Sequence, residues 1–226
     1  MRIDETKFLR QMDICPPEKL QFPITVIGTG AVGSATVLAL AKMGCGNIMV
    51  WDHDILEPHN VSNQICKPSM IGQPKVEALR ELVAELTDVQ ISTRKQRYSG
   101  QRLEGVVIAS VDNMTARQEI WHRAKLNPNV PVLIDPRMGA EFARLYSIRP
   151  CDPDQIDFYE ANLYSANEAE HLPCSARSII YCPVMLAGLV AVQVKGFAVG
   201  MAIAKEILLD VLGLILSCGG ACCEAL

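Results

Sequence analysis

Three glycines, Gly28, Gly30 and Gly33, follow the apolar run Ile24–Ile27 in the pattern Gly-x-Gly-x-x-Gly. A second apolar run comes after them, and Asp52 stands at its end. Glycines let the backbone turn tightly and approach phosphate, whose negative charge then lies at the N-terminus of a helix. A carboxylate after the second strand can accept hydrogen bonds from ribose hydroxyls. These residues predict a nucleotide site, and they leave open whether the nucleotide is NAD or ATP.

Two further segments carry groups that a nicotinamide enzyme does not need. Lys75 follows a Gly-Gln-Pro turn, and the pair Asp112-Asn113 follows the short apolar run 105–110. ATP cleavage needs cations on the outer phosphate oxygens and at least one hard oxygen ligand for Mg²⁺. These residues therefore favour ATP, although each has a structural alternative. Lys75 could be an exposed residue in the first turn of its helix, and Asp112 could cap the next helix.

Strands and helices alternate along the chain as in a doubly wound α/β fold. The pattern predicts strands near 24–28, 47–52, 89–98, 105–110 and 131–135, and helices near 31–43, 74–86 and 113–126. Further on it predicts a strand around 142–147 that could run antiparallel, an irregular segment at 150–173, and helices at 175–198 and 201–216. We expect a Rossmann-like, mainly parallel sheet with helices on both faces and some antiparallel strands in the C-terminal half.

The 226 residues suit one domain rather than two. Its parts would be an N-terminal arm (1–23), a crossover loop (150–174), and a C-terminal helix and tail (199–226). The formal charge of −4, with acids and bases interleaved, argues against a nucleic-acid partner. Nine cysteines without a secretory signal favour reduced thiols and a cytoplasmic location. The apolar stretch 183–204 is interrupted by Gln193 and Lys195, so it suits a buried helix better than a membrane span.

Six motifs in order resemble the ubiquitin-activating-like superfamily, whose bacterial members are the ThiF, MoeB and HesA adenylyltransferases. They are Arg10-Gln11, the glycine motif, Asp52-His53-Asp54, Glu57-Pro58-His59-Asn60, Gly72-Gln73-Pro74-Lys75 and Ser110-Val111-Asp112-Asn113. The resemblance covers roughly residues 8–196. It implies an enzyme that uses Mg²⁺ and ATP to adenylate the C-terminal carboxylate of a ubiquitin-like or sulfur-carrier protein, whose tail usually ends in Gly-Gly. The absence of Cys-x-x-Cys pairs implies a short, zinc-free subtype.

The resemblance also implies a role for each matching position. The nucleotide would contact Gly28, Gly30, Ala31, Gly33, Asp52, Asp54, Asn63, Lys75 and Asn113. Asn60 and Lys75 would contact the phosphates, with Lys75 offsetting charge on the departing pyrophosphate, and Asp112 would hold the metal. Arg10 would reach the triphosphate of a neighbouring subunit, which implies a homodimer. The alternatives are a turn role for Asn60 and simple solvation of Arg10.

Asn63 departs from the family pattern, which has an arginine shortly after the position of Asn60. A neutral amide there removes one cation and about 2–4 kcal/mol of transition-state stabilisation. Adenylation could then be slow, or another cation such as Lys67 could substitute. This departure keeps a non-catalytic nucleotide-binding scaffold open as a second function, beside the NAD-dependent oxidoreductase.

Cys174 lies in the crossover region, near where relatives carry an active cysteine. A thiol near a helix N-terminus gains thiolate character, and Arg177 would add to it. Cys174 is therefore a candidate for thioester formation, which would add a conjugating-enzyme-like protein to the possible partners. A buried structural thiol is an equal alternative, because cysteine is so often a core residue. Cys66 is the weaker candidate.

Overall fold

One eight-stranded sheet runs through this computed structural model, which describes residues 5–163 and 179–219. In chain order the strands are β1 (Ile24–Ile27), β2 (Ile48–Trp51), β3 (Ser92–Arg94), β4 (Val106–Ala109), β5 (Leu133–Gly139), β6 (Phe142–Ile148), β7 (Glu206–Asp210) and β8 (Ile215–Gly219). Their order across the sheet is β3-β2-β1-β4-β5-β6-β7-β8. The first five are parallel to one another, and the last three are antiparallel to their neighbours. The predicted fold class is confirmed.

Helices cover both faces of the sheet. They are α1 (Ala31–Lys42), α2 (Lys75–Thr87), α3 (Met114–Ala124), α4 (Pro153–Glu160) and α5 (Tyr181–Ala198), with short 3₁₀ helices at Glu5–Gln11, Pro17–Leu20, Pro58–Asn60 and Pro68–Met70. Successive residues of β4 show why both faces need cover. Ile108 lies in the core formed with α1, α2 and α5, whereas Val107 lies in the core formed with α3 and α4. Every residue of β4 is buried, as expected of a central parallel strand.

The predicted helix at 201–216 is wrong, because this segment contains β7, a turn and the start of β8. Ile207 and Leu209 are buried while Glu206, Leu208 and Asp210 are partly exposed, which is the period of two of a strand. The Gly213 backbone N–H donates to Asp210 Oδ1 at 2.9 Å and closes the turn. The apolar residues of 201–216 fit the period of a helix as well as the period of a strand, so the sequence pattern assigned the segment wrongly.

The segment 150–173, predicted to be irregular, also contains a helix. The carboxylate of Asp152 accepts hydrogen bonds from the backbone N–H groups of Asp154 and Gln155, and Pro153 occupies the first helical position. Acidic capping and an N-terminal proline both favour a helix start. α4 therefore precedes the undescribed part of the predicted crossover loop.

By length and composition, α5 is the one helix in the described chain that could cross a membrane. Half of it is buried, and it packs along α1 through core residues such as Leu186, Val190 and Val194. Gln193 is also buried. These contacts agree with the expected buried helix.

Candidate functional site

The glycine turn joins β1 to α1 at the carboxyl edge of the sheet. Gly28 has φ 92°, and a Cβ there would lie 2.3 Å from the Ser110 carbonyl oxygen. A Cβ on Gly33 would lie 2.0 Å from the Gly28 carbonyl oxygen. A Cβ on Gly30, the N-cap of α1, would have no protein atom within 4 Å. Two glycines are thus required by packing, whereas a Cβ on Gly30 would point into open space at the N-terminus of α1, where an anion can approach.

Asp52 is oriented by the glycine turn. Its Oδ2 accepts hydrogen bonds from the Thr29 backbone N–H at 2.7 Å and the Thr29 hydroxyl at 2.9 Å. Its Oδ1 accepts from the Asp54 backbone N–H at 2.9 Å. The carboxylate is half-buried just after β2. Each oxygen keeps further acceptor capacity, so Asp52 can also accept ribose hydroxyls.

Lys75 begins α2 and pairs with Asp54. Its Nζ lies 2.7 Å from Asp54 Oδ2, and its backbone N–H donates to the Asp54 carbonyl at 3.0 Å. Only 12% of the Lys75 side chain is exposed, so the alternative of an exposed first-turn lysine is wrong. Burial raises the pKa of Asp54, but the hydrogen bond and charge of Lys75, helped by His53, outweigh it and hold that pKa below its usual value.

Asp112 and Asn113 divide two tasks at the end of β4. Asn113 is the N-cap of α3, and its Oδ1 accepts from the Ala116 backbone N–H at 2.9 Å. Its Nδ2 donates to Asp112 Oδ1, also at 2.9 Å. The alternative that Asp112 caps the helix is therefore wrong. Asp112 is exposed, and its Oδ2 accepts no hydrogen bond from the described residues, so it fits the hard oxygen ligand that Mg²⁺ requires.

Asn60 has the turn role that was its alternative. It is buried, and its Oδ1 accepts from the Glu57 backbone N–H at 2.9 Å at the start of a 3₁₀ helix. Asn63 follows one turn later, and its Oδ1 is buried without a partner in the described chain. The Lys67 ammonium pairs with Glu85 on the surface, so Lys67 does not fill the place of the missing arginine.

Of the eight buried side-chain polar atoms without a partner among the described residues, four lie in the loop from Asp52 to Lys75 or directly after β4, and a fifth lies in β5. They include Asn63 Oδ1, Gln64 Oε1 and Gln73 Oε1 in the loop from Asp52 to Lys75, Ser110 Oγ after β4, and Arg137 Nη2 in β5. A buried polar group left unsatisfied costs about 1–3 kcal/mol. A polar ligand bound at the carboxyl edge of the sheet would provide hydrogen-bond partners for such atoms.

A buried ionic cluster beneath the site was missed by the sequence analysis. Asp135 in β5 is fully buried and binds Arg117 Nε at 2.8 Å and Arg137 Nε at 2.7 Å. The Tyr159 hydroxyl donates to it at 2.8 Å. Burial raises the pKa of Asp135, but the two guanidinium groups outweigh it and lower that pKa. A signal existed, because Asp135 ends the predicted strand 131–135 as Asp52 ends the second strand.

This cluster also reaches the Asp112 loop. Arg117 Nη2 donates to the carbonyl oxygen of Val111 at 2.5 Å. Val111 immediately precedes Asp112, so a side chain of α3 fixes the backbone that carries the candidate metal ligand. Asp135 in turn fixes Arg117.

Arg10 lies away from the glycine turn of its own chain. It is exposed on the Glu5–Gln11 helix, next to Gln11, whose Nε2 donates to the Met43 carbonyl at the far end of α1 at 2.7 Å. The 12 residues of α1 span roughly 18 Å at about 1.5 Å per residue. A role for Arg10 at a glycine turn would therefore be in another subunit.

Cys174 and Arg177 lie outside the described residues. Cys66 is half-buried, and burial raises the pKa of its thiol, so it lacks the thiolate character of a nucleophile.

A family model identifies the chain's relatives. The model of the ThiF family matches residues 18–201. The chain belongs to the ThiF family. That match contains the glycine turn, Asp52, Lys75 and Asp112, which the structure brings to one edge of the sheet.

Relatives of this ThiF-family chain match it over part of their length. It is 30% identical over 128 residues to the Sulfur carrier protein ThiS adenylyltransferase of Escherichia coli K12, covering 53% of this chain and 51% of that protein. It is 28% identical over 118 residues to Ubiquitin-like modifier-activating enzyme 5 of Branchiostoma floridae, covering 44% and 29%. It is 32% identical over 83 residues to the tRNA threonylcarbamoyladenosine dehydratase of Bacillus subtilis 168, covering 36% and 33%. The chain thus spans about half the length, or less, of these relatives.

Solved structures share the fold. PaaA superposes with a TM-score of 0.75 at 17% identity, over 96% of this chain and 73% of PaaA. Escherichia coli MccB with ATP superposes with a TM-score of 0.68 at 16% identity, over 90% of this chain and 64% of MccB. At these identities the likeness concerns the fold alone.

Proposed function

We propose that this ThiF-family protein binds Mg²⁺-ATP at the carboxyl edge of its sheet and adenylates the C-terminal carboxylate of a ubiquitin-like or sulfur-carrier protein. The observation that carries the proposal is the exposed carboxylate of Asp112, whose Oδ2 accepts no hydrogen bond from the described residues and which lies two residues beyond the Ser110 carbonyl that Gly28 approaches. A carboxylate beside bound phosphate is repulsive unless a cation lies between them. Mg²⁺-ATP supplies that cation, whereas NAD does not.

The residues of the site divide the work of holding the nucleotide. Gly30 and Ala31 offer the N-terminus of α1 to the phosphates, and Asp52 accepts the ribose hydroxyls. When Mg²⁺ is bound, it reduces the negative charge of the phosphates and polarises them. Asp112 would hold that ion. Lys75 is poised beside Asp54, from which its ammonium can turn to a phosphate oxygen.

In the reaction, one oxygen of the carrier's C-terminal carboxylate attacks the α-phosphorus of ATP. The bond between the α-phosphorus and the bridging oxygen breaks, and pyrophosphate leaves with the electron pair. No proton has to move, because the nucleophile is already a carboxylate. Lys75 stabilises the negative charge that grows on the leaving oxygens.

Three further features belong to the proposal. The protein acts as a cytoplasmic homodimer, in which Arg10 reaches the triphosphate of the neighbouring subunit. The position of Arg10 away from the glycine turn of its own chain supports this role. Cys174 takes the acyl group from AMP by attack of its sulfur on the acyl carbon, releasing AMP. A conjugating-enzyme-like protein then receives it.

The proposal is tested by pyrophosphate exchange into ATP, with purified protein and carrier proteins ending in Gly-Gly. Exchange that depends on the carrier supports it. A parallel measurement follows thermal unfolding with Mg²⁺-ATP or NAD, since a ligand at a hundred times its Kd adds about 2.7 kcal/mol to stability. Stabilisation by NAD alone would contradict the proposal.

A second function, a nucleotide-binding scaffold without catalysis, is favoured by one observation. Asn63 supplies no charge, and the nearby Lys67 is held by Glu85. Stabilisation by Mg²⁺-ATP with no exchange for any carrier would favour the scaffold.

A further inference from the structure

Arg137 lies on the far side of Asp112 from the glycine turn. Across the sheet, β1 is followed by β4 and then β5. Ile108 of β4 pairs with Ile134 of β5. Arg137 follows this pair by three residues along β5, and Val111, the residue before Asp112, follows it by three residues after β4. Adjacent strands are about 4.8 Å apart. The carboxyl edge therefore presents the glycine turn, the candidate metal ligand and Arg137 in that order.

The guanidinium of Arg137 is held on three sides. Its Nε donates to Asp135 Oδ2 at 2.7 Å, and its Nη1 donates to the Asn162 carbonyl at 2.8 Å. Its Cζ lies over the ring of Tyr146, 4.6 Å from the ring centroid. Its Nη2 is buried and has no partner in the described chain, although 12% of the side chain remains exposed. The one free amino group is thus oriented before any ligand arrives.

The charge around Arg137 favours an anion. Asp135 is shared by the guanidinium groups of Arg117 and Arg137, which leaves one positive charge in excess within the cluster. The other described partners of Arg137 are the Asn162 carbonyl and the rings of Tyr146 and Tyr159, and none of them carries a charge. A guanidinium shielded from water can therefore form a charge-assisted hydrogen bond to a carboxylate oxygen through its one free amino group.

We propose that Arg137 Nη2 binds one oxygen of the acyl substrate's terminal carboxylate and so orients its other oxygen toward the α-phosphorus. This inference rests on the proposed adenylation. It places the nucleotide on the β1 side of Asp112 and the carboxylate on the β5 side. Holding the two reactants in a fixed geometry is a large part of the rate that such a site can provide.

Arg137→Lys is the variant that tests this role, because lysine keeps a cation for Asp135 but loses the planar fork. Arg144→Lys is the matched control. Arg144 pairs with Arg137 across β5 and β6 and approaches the same Tyr146, but its guanidinium contacts the Tyr146 hydroxyl and Glu206 and is more exposed. Thermal unfolding of both variants checks that each is folded.

In steady-state exchange, we expect Arg137→Lys to raise the KM for the carrier protein about tenfold or more, as loss of a charged hydrogen bond would, and to leave the KM for ATP unchanged. Arg144→Lys should change neither. A raised KM for ATP with an unchanged KM for the carrier would make Arg137 a phosphate ligand instead. An equal increase in the KM for ATP and the KM for the carrier would make the role of Arg137 structural. Either result overturns the proposal.

A binding measurement separates this proposal from the adenylation that it assumes. A peptide ending in Gly-Gly is titrated calorimetrically in two forms, one with a free carboxylate and one with a C-terminal amide. The wild type should prefer the carboxylate about tenfold, Arg144→Lys should keep that preference, and Arg137→Lys should lose it. No preference in the wild type, or a preference retained in Arg137→Lys, overturns the proposal whether or not exchange occurs.

Discussion

Asn113 holds Asp112 with its amide while it caps helix α3 with its carbonyl oxygen. Asn113 Nδ2 donates to Asp112 Oδ1, and Asn113 Oδ1 accepts from Ala116 N, both at 2.9 Å. The helix therefore needs nothing from the neighbouring carboxylate. The Asn113 side chain satisfies the backbone of α3, and Asp112 Oδ2 remains available to a ligand.

The first prediction separates these two roles. Asp112→Ala should abolish pyrophosphate exchange with little change in melting temperature, because the metal loses its carboxylate ligand and the cap stays. Asn113→Ala should lower stability by about 1 kcal/mol through loss of the cap. Exchange and thermal unfolding of both variants measure this. Undiminished exchange in folded Asp112→Ala would remove Asp112 from the site.

The second prediction concerns the ion pair of Lys75 and Asp54. Lys75→Ala should greatly reduce exchange, since the charge on departing pyrophosphate loses its cation. The remote, exposed pair of Lys7 and Asp88 offers a control, because Asp88→Asn should leave exchange unchanged. Equal loss of exchange in both variants would show that Lys75 has no particular role.

The same pair predicts a pH dependence of stability. The pKa of Asp54 is lowered by folding, so its contribution is present above the aspartate pKa of the unfolded chain and is lost as pH falls through the folded value. Asp54 is 49% exposed, so the contribution should be below about 1 kcal/mol. The free energies of unfolding of the wild type and Asp54→Asn, measured in urea, should differ slightly at pH 7 and become equal in acid. A difference that persists in acid would contradict this effect of the Asp54 pKa on stability.

The third prediction concerns the missing cation. Asn63→Arg should speed adenylation with little change in ATP affinity, because the added charge acts mainly on the leaving group. Lys67→Ala should have no effect, since Lys67 is committed to Glu85. Single-turnover formation of the adenylate measures both. A slower Asn63→Arg variant would mean that another group already fills that position.

The fourth prediction concerns the buried cluster. Asp135→Asn should destabilise the protein by about 3–5 kcal/mol, because two guanidinium groups lose their buried counter-ion. Glu160→Gln removes the exposed partner of Lys125 and should cost less than about 1 kcal/mol. Chemical denaturation compares the two. If both variants lose a similarly small free energy of unfolding, the buried cluster contributes no more to stability than the exposed pair.

The fifth prediction concerns Cys174. Incubation with ATP and the carrier should give an adduct that reductant cleaves. Cys174→Ser should lose this adduct or replace it with a reductant-resistant ester, while exchange continues. An adduct unchanged in Cys174→Ser would move the role to another thiol. Exchange without any adduct would make this an adenylation-only enzyme.

The parallel half of the fold could be predicted because its signals are local. A continuous apolar strand such as β4 indicates burial on both faces, and the glycine turn after β1 indicates a helix N-terminus near phosphate. The C-terminal hairpin could not be predicted in the same way, because the apolar run 201–216 suits either period. The pairing of β7 with β6 decides it, and that pairing is distant in sequence, since Glu206 pairs with Tyr146, 60 residues earlier.

The sequence by itself determined which residue types would meet at the carboxyl edge, since parallel strands end there and the motifs follow the strands. Only the tertiary structure decided what each side chain does. It assigned the cap to Asn113, paired Lys75 with Asp54, and committed Lys67 to Glu85. It also joined Arg117, Asp135 and Arg137 beneath the Asp112 loop. The physical reason is that hydrogen bonds and ion pairs depend on distances of a few ångströms between segments, and spacing along the chain does not encode those distances.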